Sequence, residues 1–445
     1  MIASSFPVAD LILRDFAVVS SESIPPHAPL EELSSLRGHF ALHLHGSDGS
    51  HLLVRDPVGV NKLFFAIDPN GSVRSSNFFS DLIEEGYSAR NVWSVPSGHA
   101  VRIWPQQQRL ISEKFAPLRF ADDDPAVTDE LPKHAARIRE GLDRTFRALA
   151  AALTGRSVYV TLSGGLDSTT IAALARQHLG SVRGVTFAVS GAAGAEEPSS
   201  DLYNARRAAD VLGIPLEVVE VSSSALSELL DDVLVYGQDF RDFNVHCGLV
   251  NAALGRYIGA RHAGAAQRPV VLTGDTMNEL VADYTPVSYA SAEYYSLPNL
   301  PTHKLRRFLV QGLDTGDREV GVFARFGVET IQPYAIHPEL YTNLPGGFLE
   351  VEGAKQRLAR LIMGDQVPAF IYERPKVRAQ VGSSERVGGT LAALIDAGVD
   401  SAELQRRFCK LVGLAPAELK SWIRAGMYRF PTVYPKASET HHAQL

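Results

Sequence analysis

One short stretch that follows an apolar run constrains this chain more than any other part of its sequence. Residues 158–162 are rich in β-formers and lead into Ser163-Gly-Gly-Leu-Asp-Ser-Thr-Thr170, and the pattern up to residue 179 is helical. In an open parallel sheet, ligands bind at the carboxyl ends of the strands. Glycines let the backbone approach an anion closely, and a helix N-terminus favours negative charge. We therefore interpret residues 163–170 as a phosphate loop.

Asp167 lies within this loop, where its negative charge would repel a polyphosphate. A Mg²⁺ ion between the carboxylate and the phosphates removes that conflict. The alternative is a tight strand–helix turn in which Asp167 caps the helix. The stretch is not a Walker motif, because it lacks the Gly-Lys-Ser/Thr ending.

Strands and helices alternate around the phosphate loop. Apolar residues recur at three- and four-residue steps from Ile138 to Leu153, which predicts an amphipathic helix. Apolar strands are predicted at 157–162, 184–189, 216–221 and 269–272, and helices at 168–179 and 202–212. Such alternation predicts an α/β fold with a parallel sheet covered on both faces. Beyond about residue 286 we expect mainly helices.

The first 118 residues have a different pattern. Short strands, predicted at 38–45, 51–55, 62–67 and 98–104, are separated by turn-prone segments and indicate an antiparallel sheet system. We therefore expect a β-rich domain over residues 1–120, a linker over 121–132, a parallel-sheet domain over 133–435 and a tail over 436–445. The alternative for the acidic linker is a surface loop inside one domain.

Charge and cysteine content exclude several classes of protein. The chain has 43 basic and 50 acidic residues, a formal net charge of −7, so it lacks the bulk basic charge of a duplex nucleic-acid binder. No apolar run is long enough to span a membrane. Two distant cysteines provide neither a zinc spacing nor a disulfide framework, which favours a cytoplasmic protein. A homodimer is compatible with the sequence.

Several segments resemble one enzyme family. The phosphate loop is similar to the pyrophosphate-binding loop of N-type ATP pyrophosphatases. Four further segments resemble parts of asparagine synthetases and occur in the same order as in that family: 271–280, 323–333, 353–358 and 373–376. The last of them also resembles β-lactam synthetases. Residues 54–65 and 95–99 resemble class II glutamine amidotransferase domains. The resemblance implies an Ntn-hydrolase-like αββα domain followed by an adenine nucleotide α-hydrolase-like (HUP/PP-loop) domain.

This resemblance implies an AMP-forming ligase. ATP adenylates a substrate carboxylate and releases pyrophosphate, and an amine then attacks the acyl-adenylate. The implied Mg²⁺ ligands are Asp167 and Asn278, although the family has Asp at the latter position and Asn binds the ion more weakly. The implied ATP contacts are Leu162, Ser163, Gly164, Gly165, Asp167, Ser168, Thr169, Val189, Thr273 and Gly274.

The resemblance also implies three catalytic residues. Asp275 and Glu329 would form a carboxylate pair that shares a proton or orients the amine. Lys376 would stabilise the oxyanion and the leaving phosphate. Each has a structural alternative: a loop cap for Asp275, a partner for a lysine or a backbone turn for Glu329, and a solvated surface position for Lys376.

One departure from the family concerns the source of the amine. A class II glutaminase needs a processed N-terminal cysteine, whereas this sequence begins Met1-Ile2-Ala3 and has its first cysteine at Cys247. We therefore expect β-lactam synthetase-like coupling of a small carboxylate and an amine, without glutamine hydrolysis, in the biosynthesis of a natural product such as an antibiotic. The alternatives are asparagine synthetase-type amidation with ammonia or another small amine, and a non-catalytic nucleotide-binding protein, which Asn278 favours.

Four histidines fall within or beside the predicted strands of the first region. His43 and His45 share one strand face, and His39 and His51 are nearby. No carboxylate or cysteine accompanies them at ligand spacing. We therefore interpret them as solvated or half-buried strand residues rather than as a metal site.

Overall fold

The computed structural model describes residues 6–121, 130–190, 197–383, 385–424 and 427–435. Most of the predicted linker, 122–129, and the predicted tail, 436–445, lie outside the described residues. The following helix begins at Leu131 and so includes the last two residues of the predicted linker. The division into two domains stays a prediction. No described helix combines the length and the apolar character needed to cross a bilayer.

The first region consists of antiparallel sheets, as predicted. A four-stranded sheet has the order Arg109–Lys114, His99–Trp104, His51–Arg55, Ala41–His45. A three-stranded sheet has the order Val73–Ser76, Phe64–Ile67, Val92–Ser94, and another has the order Ala17–Val18, Leu11–Arg14, Leu36–His39. The helices here are short: Leu30–Ser34 and Phe79–Glu84, with 3₁₀ turns at Ser21–Ser23, Ala89–Asn91 and Pro105–Gln107.

Alternation along the central strands gives the first region two apolar layers. Leu53 and Val101 face one way and pack with Phe65 and Trp93 of the neighbouring sheet. The opposite face carries a second cluster, to which Leu33 of the short helix Leu30–Ser34 contributes. Burial on both faces accounts for the nearly continuous apolar character of these strands.

The second region is built on a five-stranded sheet in which every pairing is parallel. Its order is Leu216–Val221, Arg183–Val189, Val158–Thr161, Val270–Leu272, Glu329–Ile331. The first four strands confirm the predicted ones, and the fifth was not predicted. Because the strand order reverses beside Val158–Thr161, the carboxyl ends of this strand and of Val270–Leu272 flank the topological switch point. Open α/β sheets bind their ligands in this crevice.

Helices cover both faces of the parallel sheet. Val160 and Leu272 pack on one side with the helices Leu131–Ala152, Leu166–Leu179 and Ala354–Met363. Tyr159 and Val271 pack on the other side with the helix Asp242–Arg261. The remaining helices are Asp201–Leu212, Ser223–Glu228, Leu230–Tyr236, Met277–Val281, Thr302–Gly312, Val320–Ala324, Pro333–Ile336, Glu339–Thr342, Gly346–Leu349, Ala369–Glu373, Thr390–Asp396, Ser401–Leu411 and Pro416–Trp422.

The end of the chain is mainly helical, as expected. It also contains a 3₁₀ turn at Gly364–Gln366 and two small antiparallel pairs: Val287–Tyr289 with Ala292–Tyr294, and Ile423–Arg424 with Met427–Tyr428.

Candidate active site

The phosphate loop joins the strand Val158–Thr161 to the helix Leu166–Leu179. Gly164 has φ +68°, and a Cβ at this position would lie 2.4–2.6 Å from atoms of Asn204 and Ala205. Only glycine combines this backbone conformation with so close an approach. The hydroxyls of Ser163 and Ser168 lie 3.1 Å apart, and Ser163 Oγ accepts from the Gly165 amide at 3.3 Å. The loop therefore has a defined shape that gathers hydroxyls and backbone N–H groups at a helix N-terminus.

A second loop reaches the same place from the neighbouring strand. It follows Val270–Leu272 and contains Gly274, where a Cβ would meet the Ser168 amide nitrogen at 2.8 Å and Asp167 at 3.0 Å. Thr276, in the same loop, has a positive φ of +77° and donates to Gln332 Oε1 at 2.8 Å. The two loops are therefore in direct contact on either side of the switch point.

Two lysines from the C-terminal part of the chain converge on these loops. Lys355 Nζ lies 2.6 Å from Asp167 Oδ2 and 2.6 Å from Asn278 Oδ1. Lys376 Nζ donates to the same Asn278 oxygen at 2.6 Å and to Asp283 Oδ2 at 2.8 Å. The two predicted metal ligands, Asp167 and Asn278, thus present oxygens to one point, which the Lys355 ammonium occupies.

These two lysines differ in how firmly they hold their protons. Burial and the neighbouring charge of Lys355 lower the pKa of Lys376 to about 8. Burial also disfavours the charged form of Lys355, but Asp167 and Asp283 outweigh it and raise the Lys355 pKa. Burial acts to raise the pKa of Asp283, yet Lys355 and Lys376 hold it down at about 2. The cluster therefore combines a firmly charged ammonium with one that loses its proton as the pH rises through about 8.

Asp275 forms an ion pair on the other side of the second loop. Arg318 donates to both of its carboxylate oxygens, at 2.7 and 2.5 Å, and reaches Glu279 Oε1 at 2.7 Å. Behind them Glu319 accepts from the Thr273 hydroxyl at 2.6 Å. Burial and the charge of Asp275 raise the Glu319 pKa well above its ordinary value.

A cavity of about 280 Å³ joins these groups. The predicted residues that line it are Leu162, Ser163, Gly165, Asp167, Ser168, Val189, Gly274, Asp275, Asn278 and Lys376. Gly164 and Thr169 shape the loop from behind it. The side chain of Thr273 is buried against Glu319 and does not face the cavity. Most of the predicted contacts thus face the cavity, and the others position the residues that face it.

The structure contradicts the predicted pairing of Asp275 with Glu329. Glu329 begins the edge strand Glu329–Ile331 and is in register with Val270, at the amino ends of the parallel strands. Its carboxylate binds Arg156 at 2.6 Å and Arg268 at 2.9 Å. The strand direction thus places Glu329 at the amino ends of the parallel strands, whereas the phosphate loop lies at their carboxyl ends. The acidic neighbour whose charge acts on Asp275 is Glu279, which shares Arg318 with it.

Several residues of the site were not assigned a role from the sequence. Lys355 lies in the segment 353–358, whose family resemblance was noted, and Asp283 lies three residues beyond the segment 271–280, so both had a local signal. Arg318 and Glu319 lie in no motif or periodic pattern. Arg374 reaches the Ser163 carbonyl at 3.3 Å and Asp201 Oδ1 at 2.7 Å. It holds the phosphate loop against a helix start that is distant in sequence.

Part of the chain is similar to a known family. Residues 137–315 match the asparagine synthase family. The chain is 25% identical over 341 residues to the amidase chry2 of Gibberella zeae, covering 67% of this chain and 48% of that protein. It is 27% identical over 310 residues to a putative glutamine-hydrolyzing asparagine synthetase of Mycobacterium tuberculosis, covering 61% of this chain and 44% of that protein.

The chain therefore spans about half the length of the curated relatives it matches. Among solved structures, NMN synthetase from Francisella tularensis aligns with a TM-score of 0.32 and 13% identity, over 63% of this chain and 87% of that chain.

Proposed function

We propose that this chain, whose residues 137–315 belong to the asparagine synthase family, is an ATP-dependent, AMP-forming carbon–nitrogen ligase. One observation carries the proposal: two lysines meet the phosphate loop at the switch point of the parallel sheet. Lys355 contacts Asp167 of the loop and Asn278, and Lys376 contacts the same Asn278. A polyphosphate needs such a site, because its charge requires both backbone donors and cations.

The site suits a triphosphate with its α-phosphorus exposed to a second substrate. In the proposed complex, the loop hydroxyls of Ser163 and Ser168 and the first amides of the helix donate to the β- and γ-phosphates. Val189 and Leu162 form an apolar wall of the same cavity for the base. Lys376, across the cavity, would lie beside the phosphate that changes its bonding.

The oxygen donors also fit a magnesium ion next to those phosphates. Asp167 Oδ2 and Asn278 Oδ1 lie at equal distances of 2.6 Å from one cation, the Lys355 ammonium. Mg²⁺ is bound through one or two carboxylates together with substrate phosphates and water. Asp167 and Asn278 would hold the ion, which when bound supplies charge neutralisation for the departing pyrophosphate.

The proposed chemistry has two steps. A carboxylate oxygen of the substrate attacks the α-phosphorus, the bond to the bridging oxygen of the β-phosphate breaks, and pyrophosphate leaves. The amine nitrogen then attacks the acyl carbon, loses a proton, and AMP leaves. Lys376 donates to the oxyanion and the leaving phosphate, and Asp275, held by Arg318, accepts a hydrogen bond from the amine.

We further propose that the amine is part of a small-molecule substrate rather than ammonia released from glutamine. Residues 1–246 contain no cysteine, so this part of the chain offers no thiol for glutamine hydrolysis. This supports β-lactam synthetase-like coupling, in which the amine and the carboxylate belong to one molecule. Amidation by a free amine is the alternative, and the product distinguishes them: ring closure yields a molecule lighter by one water without any added amine.

Exchange of radiolabelled pyrophosphate into ATP tests the proposal, with a panel of amino-substituted carboxylic acids as probes. We expect acid-dependent exchange and AMP formation in the parent protein. Asp167→Ala and Lys376→Met should lose both, whereas Lys133→Met, at a surface position with 74% of its side chain exposed, should not.

Formation of ADP and phosphate, or equal exchange in all variants, would refute the proposed chemistry. If ATP binds but no acid in the panel supports exchange, the result would instead support the alternative that Asn278 favours, a non-catalytic nucleotide-binding protein.

A further inference from the structure

We propose that His43, His45 and His51 form a binding site for a divalent transition-metal ion, with Zn²⁺ as the ion that fits best. The three histidines lie in the four-stranded antiparallel sheet of the first region, and none of them lines the cavity at the phosphate loop. The proposed site is therefore independent of the ligase proposal.

The sequence alone favours ordinary strand residues at these positions, but the sheet register brings the three imidazoles together. His43 and His45 are two residues apart on the strand Ala41–His45, so they share a face. His51 on the neighbouring strand lies directly opposite His45. One nitrogen from each ring lies within 4.8 Å of the corresponding nitrogens of the other two. The ring centroids are 4.3, 4.9 and 5.2 Å apart.

Orientation of the rings also suits metal binding. His43 Nε2 and His51 Nδ1 share a hydrogen bond of 2.9 Å, so an ion bound by both nitrogens would take the place of its proton. The other nitrogen of His43, Nδ1, lies 2.8 Å from the hydroxyl of Ser75, on the strand Val73–Ser76 of the adjacent sheet. Metal-bound histidines commonly use their second nitrogen in such a hydrogen bond, which fixes the ring and its tautomer.

The chemistry of the donors selects the class of ion. Three neutral imidazoles suit Zn²⁺ and the neighbouring divalent transition metals, whereas Mg²⁺ and Ca²⁺ prefer oxygen.

Access from solvent and an open coordination position complete the argument. His45 is exposed, so an ion can enter from solvent, whereas His43 and His51 are half-buried. Three histidine ligands leave a fourth position for water or another ligand, as in open zinc sites.

His39, the remaining histidine of the sequence prediction, is not part of this group. Its Nε2 donates to the Gln332 carbonyl at 3.1 Å, and burial lowers its pKa to about 4. It packs between the two regions as a structural residue.

The test is calorimetric titration of the chelator-treated full chain with Zn²⁺, followed by Co²⁺, whose visible absorption reports tetrahedral nitrogen coordination. We expect one ion per chain. His45→Ala and His51→Ala should each weaken binding at least ~10-fold, and Ser75→Ala should weaken it by a similar factor through loss of ring orientation.

Two controls keep the result specific. His27→Ala removes an exposed histidine outside the group, and His441→Ala/His442→Ala removes the pair near the end of the sequence; neither should change the affinity. Unchanged affinity in His45→Ala and His51→Ala would overturn the proposal. So would loss of binding in the His441→Ala/His442→Ala variant, or binding in the parent protein only at millimolar Zn²⁺. Circular dichroism of each variant would identify a loss of binding that comes from unfolding.

Discussion

Lys355 and Lys376 contact the same amide oxygen of Asn278, yet they are suited to different tasks. Lys355 lies between two carboxylates, so its charge is held firmly and can neutralise phosphate at any physiological pH. Lys376 has one carboxylate partner, Asp283, and a neighbouring ammonium that opposes its charge. Lys376 therefore carries its charge below a pH of about 8 and can pair there with an anion that develops beside it.

The lowered pKa of Lys376 leads to a prediction about pH dependence. Because this pKa is about 8, the ammonium loses its proton as the pH rises through that value. We expect kcat/KM for the AMP-forming reaction to fall above pH 8, and Lys376→Met to lower it ~10²–10³-fold at pH 7. A pyrophosphate-release assay between pH 6 and 10 measures both effects.

Lys376→Arg provides the matched control for that prediction. Arginine keeps its proton throughout this range, so whatever activity the variant retains should show no fall near pH 8. An unchanged alkaline limb in Lys376→Arg would show that another group is responsible for the pH dependence.

Glu319 leads to a second prediction, which concerns stability. Its pKa is raised by burial and by the charge of Asp275, so the folded protein keeps a proton that the unfolded chain releases. The stability that this proton provides is present below the ordinary glutamate pKa and is lost as the pH rises through the folded pKa. Glu319→Gln removes this loss, since glutamine stays neutral.

We therefore expect the free energy of unfolding of Glu319→Gln to rise relative to the parent protein between pH 5 and pH 9, as measured by urea denaturation. Glu228→Gln, where 72% of the side chain is exposed, should follow the parent at both pH values. A parallel pH dependence in Glu319→Gln and the parent would mean that Glu319 is already ionised in the folded state.

At the scale of elements, the phosphate loop depends on one glycine more than on its neighbours. Gly164→Ala places a methyl group 2.4–2.6 Å from the backbone and side chain of the helix Asp201–Leu212, and its φ is +68°. We expect it to abolish nucleotide binding and to destabilise the protein by more than the conformational cost alone. Gly155→Ala is the control, because its φ is +78° but nothing lies within 4 Å of the added Cβ.

The control substitution should cost only the ~1–2 kcal/mol of a left-handed conformation in a non-glycine residue. Urea denaturation and an ATP-binding measurement distinguish the two variants. Equal destabilisation with retained nucleotide binding in both would show that the close approach of the loop to Asn204 has no energetic importance.

Local sequence pattern was sufficient for the elements that form the sheet. The strands Leu216–Val221 and His51–Arg55 match their predicted bounds, and Gly213 ends a helix with φ +63° as expected. Each signal lies within a few residues of the element it specifies. The strand Glu329–Ile331 escaped prediction because its first two residues are polar, whereas the equally short Val270–Leu272 is apolar throughout.

The site is harder to predict because its members are distant in sequence. Asp167 and Lys355 are 188 residues apart, and only the packing of the helix Ala354–Met363 onto the sheet joins them. The family resemblance of residues 323–333 placed Glu329 in the site. The direction of its strand instead places it at the amino ends of the parallel strands, away from the phosphate loop. Arg318 and Glu319 precede a short helix. Their sequence context gives no sign that they are buried beside the carboxylates of Asp275 and Glu279.

At the scale of the whole molecule, buried polar contacts join the β-rich region to the parallel-sheet region. Arg55 is completely buried, pairs with Asp314 Oδ1 at 2.9 Å and also donates to the Asp314 carbonyl at 3.1 Å. Ser97 donates its amide to the same Asp314 carboxylate at 2.9 Å. Lys62 donates to the Leu313 carbonyl at 2.9 Å. These contacts hold residues 313 and 314, a few positions before Arg318, so the first region supports the wall of the candidate active site.

This arrangement predicts that Arg55 stabilises the molecule far more than an exposed ion pair between the same regions. Arg55→Met leaves the Asp314 carboxylate buried without its cation, which costs ~3–5 kcal/mol. Arg90→Met removes a pair with Glu418 in which 71% of the arginine side chain is exposed, and should cost less than ~1 kcal/mol. Thermal unfolding followed by calorimetry measures the destabilisation in both variants.

If the first region supports the site wall, Arg55→Met should also raise KM for the ligase substrates, while Arg90→Met should not. Equal destabilisation by the two substitutions would mean that the buried pair does not join the regions energetically.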